Sequence, residues 1–163
     1  MSHDLGLRFL SPTVNLYMNA EDFVKFCENL EHYLNFGKIE KVIDESRGYP
    51  VGRLDDITLY FVHYKTFEEA CEKWYDRSKR VDYDNVRIFG SDRDGMTDEL
   101  MERLEKISYP KVIFTHLPSD KPSTFYIKGY EHISQVTLDK KGWLGRRDID
   151  QFDYVSFLNT GEI

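Results

Sequence analysis

With 163 residues, a formal net charge of −7 and a 40% hydrophobic share, the chain has the size and balance of one soluble domain with a sizeable core, expected to span 1–163. The acidic balance argues against a general nucleic-acid binder, which needs a basic face. The one basic cluster, Lys140-Lys141 with Arg146-Arg147, is interrupted by Gly142, Trp143 and Gly145 and reads as a solvated turn.

No apolar run approaches membrane-spanning length, and no basic stretch followed by an apolar core opens the chain. No membrane span and a cytoplasmic location are therefore expected. Cys27 and Cys71 fall on apolar stripes of predicted helices and read as buried, reduced thiols. They make neither a Cys-x-x-Cys pair nor a zinc pattern.

Met1 to Asn19 reads as irregular, with Ser11-Pro12-Thr13 as a turn. Asn19 caps a predicted helix to about Asn35, with Phe23, Phe26, Cys27, Leu30 and Leu34 at helical spacing and Gly37 as its stop. Ile39 to Ile43 is a short strand, and Glu45 to Gly52 a loop. Ile57 to Tyr64 is nearly continuously apolar, which predicts a strand covered on both faces.

Thr66 with Glu69 forms a capping box for a helix to about Arg80. Val86 to Phe89 is the next strand, followed by a helix that Thr97 caps and Pro110 ends. Val112 to Phe114, Thr124 to Ile127 and Ile133 to Leu138 are further strand candidates, and Asp150 to Asn159 a terminal helix. Strands alternating with helices predict an α/β fold: three layers, α/β/α, around a mostly parallel, Rossmann-like central sheet.

In such sheets ligands sit outside the carboxyl ends of the strands. Three such ends carry chemistry here: His63-Tyr64, Asp92-Arg93-Asp94 and Thr115-His116. If the strands are neighbours, these residues line one rim. Asp92, Asp94, His116 and His63 are the catalytic candidates, for proton transfer or metal binding. Asp92-x-Asp94 suits an oxygen-ligated Mg²⁺ or Mn²⁺ of the kind that holds sugar-nucleotide diphosphates. The same spacing recurs at Asp82-x-Asp84 and Asp148-x-Asp150, so only position favours the Asp92 copy.

Each member also has a plainer reading. Ser91 to Gly95 would be a strand-to-helix turn, His63 a hydrogen-bonded aromatic, and His116 a cap for the loop before Pro118. No Gly-rich phosphate loop, no G-x-S-x-G turn and no calcium loop is present.

The run from His3-Asp4-Leu5-Gly6 through Ser11-Pro12-Thr13-Val14-Asn15-Leu16 resembles the signature of DUF1919, a bacterial family of uncharacterised function. Tyr49 to Ile57, Phe61 to Tyr64, Glu72-Lys73-Trp74 with Arg77, Asp92 to Gly95, Phe114-Thr115-His116, Tyr126 to Gly129 and Gln151 to Val155 extend the likeness over almost the whole chain. The resemblance implies a three-layer α/β fold and, through the genomic company its members keep, a role in exopolysaccharide or capsule biosynthesis. It implies no particular reaction.

Members of the family open with a strand, an Asn-Asn-Cys-like segment and a Gly-rich turn before the His3 block. This chain starts just ahead of His3, so that strand is expected to be missing, leaving an exposed sheet edge and a homodimer formed through it.

Three functions remain open. The first is a transferase acting on a sugar or sugar nucleotide. Arg93 and Lys128 would meet phosphate or carboxylate, and His3, Asp4, Ser11, Asn15, Tyr64 and Thr115 would be further substrate-binding candidates. The second is a glycan acyl transferase or hydrolase with a Ser or Cys nucleophile. The third is a non-catalytic, truncated domain that binds a glycan or a partner.

Overall fold

A computed structural model of the chain describes residues 11–137 and 147–163. The candidates His3 and Asp4, the Leu5 to Leu10 run, and Lys140, Lys141 and Arg146 lie outside the described residues. The chain is an α/β protein that divides after Asp84 into two compact units, one built on an antiparallel sheet and the other on a parallel one. No helix among the described residues is long and apolar enough to cross a membrane.

The first unit opens as its capping residue dictates. Asn19 Oδ1 accepts the Asp22 N–H at 2.7 Å and starts α1, Ala20–Glu28. The expected single helix to Asn35 breaks at Asn29, whose φ of −125° and ψ of 38° are not helical. Its N–H closes α1 onto the Lys25 carbonyl, and its own carbonyl accepts from Tyr33 to open α2, Leu30–Asn35. Apolar spacing runs through the break: Val24, Phe26, Cys27, Leu30 and Leu34 are all buried.

Three strands follow in spatial order: β1 (Ile39–Val42), β2 (Val51–Leu54) and β3 (Ile57–Tyr60). Both pairings are antiparallel. This corrects two expectations. β2 begins inside the segment read as a loop up to Gly52, and it turns into β3 through Asp55-Asp56, with Asp55 at a φ of 51°. β3 stops at Tyr60, four residues short of Tyr64. Its alternation of buried Ile57 and Leu59 with half-buried Thr58 and Tyr60 is that of an antiparallel strand.

Tyr17 makes a single antiparallel bridge to Tyr60 on the far side of β3. Thr66 Oγ1 then accepts the Glu69 N–H at 3.2 Å and starts α3, Phe67–Ser78, which buries Ala70 and Trp74.

The second unit is a parallel sheet of β4 (Ile88–Ser91), β5 (Lys111–Thr115) and β6 (Thr124–Tyr126), with β5 in the middle. Residues 112–115 of β5 are buried without alternation, as in a parallel strand covered on both faces. The connection from β4 to β5 carries α4, Asp98–Glu105, which Thr97 caps. Val112, Phe114, Ile127, Tyr130, Val136, Phe152 and Phe157 form one core. Its aromatic character follows from edge-on ring packing: Phe114 on Phe152 at 5.4 Å, Phe125 on Phe152 at 5.0 Å and Phe89 on Phe157 at 5.1 Å between ring centroids.

Two further expectations are corrected. Residues 133–137 form no strand, because the Val136 N–H is taken by a side chain. The terminal helix starts late: a 3-10 turn at Asp148–Gln151 ends in extended Phe152, and α5 runs over Tyr154–Thr160. Gly161, at a φ of 78°, closes α5 with its N–H on the Phe157 carbonyl at 2.8 Å.

Candidate functional site

β4 and β5 are neighbours, so their carboxyl ends lie side by side. In register, Ser91 faces Phe114, and the next ladder bond runs from the Asp92 N–H to the Phe114 carbonyl at 3.0 Å. Beyond that bond the backbone ladder stops and the Asp92 side chain takes over. Its Oδ2 accepts the backbone N–H of His116 at 2.7 Å and lies 2.6 Å from His116 Nδ1. Its Oδ1 accepts the Val136 N–H at 2.8 Å.

Asp92 therefore ties together three segments: the end of β4, the end of β5 and the loop ahead of residue 137. Its side chain is 7% exposed and that of His116 23%. Buried carboxylate oxygens are expected to be satisfied, and these are.

The contact fixes the tautomer. An ionised carboxylate can only accept, so His116 Nδ1 carries the hydrogen. Nε2 of the neutral ring is then left with its lone pair, and it has no protein partner among the described residues. A carboxylate that orients an imidazole through Nδ1 and leaves Nε2 open is the arrangement that general acid–base chemistry uses.

The other candidates separate from this pair. Asp94 has a φ of 60°, donates its N–H to Gln135 Oε1 at 3.2 Å and turns its carboxylate onto Arg93 Nε at 2.6 Å. Asp92 and Asp94 thus face different partners. Asp92 accepts from two backbone N–H groups, while the Asp94 carboxylate is turned onto Arg93. Among the described residues no group of three His, Cys, Asp or Glu is placed to hold a metal.

Thr115 is buried at the rim, where its Oγ1 donates to the Leu117 carbonyl at 2.7 Å and so serves the turn after β5. Lys128 is exposed, with its backbone N–H and carbonyl both held by the Gln151 amide.

The remaining candidates belong to the first unit. His63 is exposed in the turn after β3. Because β3 pairs with β2 and not with β4 or β5, the sheet does not set it beside Asp92. Tyr64 is half-buried, accepting from Arg77 Nη1 at 2.9 Å and donating to the Val14 carbonyl at 3.4 Å. Ser11 Oγ shares a hydrogen bond with Thr13 Oγ1 at 2.7 Å, and Asn15 is exposed at a φ of 69°.

Sequence reasoning missed Gln135 and Val136, which hold the Asp92–Asp94 turn from more than 40 positions away. It also missed a pair next to β6. The Tyr126 hydroxyl donates to Glu131, which also accepts the Gly129 N–H on both oxygens. These bonds hold the Glu131 carboxyl down at about 2 and push the Tyr126 hydroxyl up. No local pattern announces either arrangement.

The model of a family described as a domain of unknown function, DUF1919, matches residues 1–159. A protein of Haemophilus influenzae (strain ATCC 51907 / DSM 11121 / KW20 / Rd), described only as uncharacterised, is 40% identical over 161 residues. The match covers 96% of this chain and 77% of that protein.

Proposed function

This chain belongs to the DUF1919 family, and we propose that its Asp92–His116 pair is the proton-transfer unit of a transferase acting on a sugar or sugar nucleotide in exopolysaccharide or other cell-surface glycan biosynthesis. The observation that carries the reading is the 2.6 Å contact between His116 Nδ1 and Asp92 Oδ2 at the ends of two neighbouring parallel strands. In this reading Nε2 takes the proton of an acceptor hydroxyl as its oxygen bonds to the transferred group. The leaving group departs with the electrons of the bond that breaks, and Asp92 stabilises the imidazolium. Arg93, now paired with Asp94, and Lys128 are exposed cations of the same unit that a phosphate would meet in this reading.

The double grip of Asp92 on two backbone N–H groups favours a second reading, a non-catalytic glycan- or partner-binding domain in which the pair only locks three segments together. The test incubates the purified chain with a panel of nucleoside-diphosphate sugars and simple glycan acceptors, with and without Mn²⁺, and follows donor consumption by mass spectrometry. Turnover that His116→Gln abolishes at unchanged stability supports the transferase. Turnover untouched by that substitution removes His116 from the mechanism, and binding without turnover favours the second reading. The same proposal includes a homodimer formed through a sheet edge, which a monomer by light scattering overturns.

A further inference from the structure

Arg77, in the last turn of α3, is half-buried and makes no ion pair among the described residues. No carboxylate lies three or four residues from it along the chain. One turn back lies Lys73, and three residues on lies Arg80, which is committed to Asp76. The guanidinium is nevertheless fixed in place. Nη1 donates to the Val14 carbonyl at 3.2 Å and to the Tyr64 hydroxyl at 2.9 Å, which uses both of its hydrogens. The remaining edge, formed by Nε and Nη2, is the side-on fork that grips an oxyanion with two parallel hydrogen bonds, and it has no partner among the described residues.

A half-buried cation with a neighbouring cation on its helix and no carboxylate partner among the described residues is a favourable place for an anion. That no acidic side chain among the described residues pairs with it, in a chain of net charge −7, argues that the vacancy has a use.

We propose that the Nε–Nη2 edge of Arg77, with Lys73 one helical turn away, is the binding point for an oxyanion of a small ligand, held from α3 while Val14 and Tyr64 keep the guanidinium aimed. Both a phosphate ester and a sugar carboxylate present that chemistry. The site lies wholly in the first unit and does not depend on the Asp92–His116 reading.

The test is an NMR titration of the full chain, followed on the Arg77 Nε–Hε resonance, with inorganic phosphate, pyrophosphate and glucuronate in turn at constant ionic strength. A saturable shift tightest for phosphate or pyrophosphate identifies a phosphate ester as the source. One tightest for glucuronate identifies a sugar acid. Either supports the site.

Arg77→Lys keeps a cation but loses the fork, and is expected to weaken binding about tenfold. Lys73→Gln touches neither Val14 nor Tyr64, so it leaves the fold intact; it is expected to weaken binding about threefold, as loss of a neighbouring partly screened charge does. His116→Gln leaves the affinity unchanged, which keeps failure of this site distinct from failure of the transferase reading. No saturable shift with any of the three anions, or equal affinity in Arg77→Lys and Lys73→Gln, overturns the proposal.

Discussion

Both the backbone N–H and the ring Nδ1 of His116 converge on a single oxygen of Asp92, at 2.7 and 2.6 Å. The two residues contribute unequally to the fold. Asp92→Ala leaves the N–H groups of His116 and Val136 without acceptors in a largely buried position. The expected loss is about 2–4 kcal/mol in chemical denaturation. His116→Ala removes only a ring and leaves both backbone bonds to Asp92 in place, so its expected loss is below about 1.5 kcal/mol. Equal losses in the two variants would make the imidazole a structural member and weaken its claim to chemistry.

Asp22 gives a pH signature. It is 8% exposed, accepts from the Thr58 N–H and the Asn19 amide at 3.1 Å each, and burial raises its carboxyl above the ordinary range. The folded state therefore holds this proton more tightly than the unfolded one. Its contribution is complete below the ordinary aspartate range and is lost as pH rises through the raised value. Asp22→Asn removes that loss. The stability of the variant minus that of the natural chain should grow as pH climbs through this window and then level off. A difference that is flat across a denaturation series at stepped pH would refute it.

Gly52 sits where β2 has no room for a side chain. A Cβ there would lie 2.7 Å from Ile39 Cγ2, 3.1 Å from Phe61 Cε2 and 3.2 Å from Phe67 Cε2. Gly52→Ala is expected to cost about 1–3 kcal/mol through overpacking, read as a drop in melting temperature. A neutral substitution would mean that the packing of β1 against Phe61 and Phe67 is looser than described.

Glu131 titrates low because Tyr126 and the Gly129 N–H stabilise its charge, with the tyrosine hydrogen bond the largest cause. Tyr126→Phe should move the midpoint of the Glu131 carboxyl, followed by carbon NMR, from about 2 up toward the ordinary glutamate range. The ion-dependent order around Gly129 is present above that ordinary range and fades as pH falls through about 2. An unmoved midpoint in the variant would assign the shift to the backbone alone.

The parts of the fold legible in the sequence were those set by local chemistry. Asn19, Thr66 and Thr97 each cap the helix they were expected to start, because a capping side chain answers to amides two or three residues away. The β4–α4–β5 unit, with Asp92 and His116 at neighbouring strand ends, follows from apolar runs punctuated by a polar turn and by Pro110.

What stayed hidden depends on partners. Pro50 and Gly52 made the start of β2 look like a loop, yet Gly52 is there for its missing side chain. Asp55-Asp56 is not an obvious hairpin turn, so the antiparallel pairing of β3 was not foreseen. Apolar spacing continues through Asn29 although the helix does not. The alternation after Ile133 promised a strand, but the Val136 N–H is spent on Asp92 instead of a ladder. The open edge of Arg77 depends on Val14, 63 positions away, which no periodicity encodes.

The isolated bridge between Tyr17 and Tyr60 rests on two backbone hydrogen bonds, of 2.8 and 2.9 Å, with the two rings tilted at 41° and 5.2 Å apart beside them. A strand margin that one bridge closes among the described residues can open without breaking a ladder there, and this one shares its segment with the Val14 carbonyl that steadies Arg77. Residues 11–17 therefore work as a hasp on the first unit. Lifting them would uncover the outer margin of β3 and release the guanidinium together, so a ligand gripped by Arg77 would also keep that margin shut.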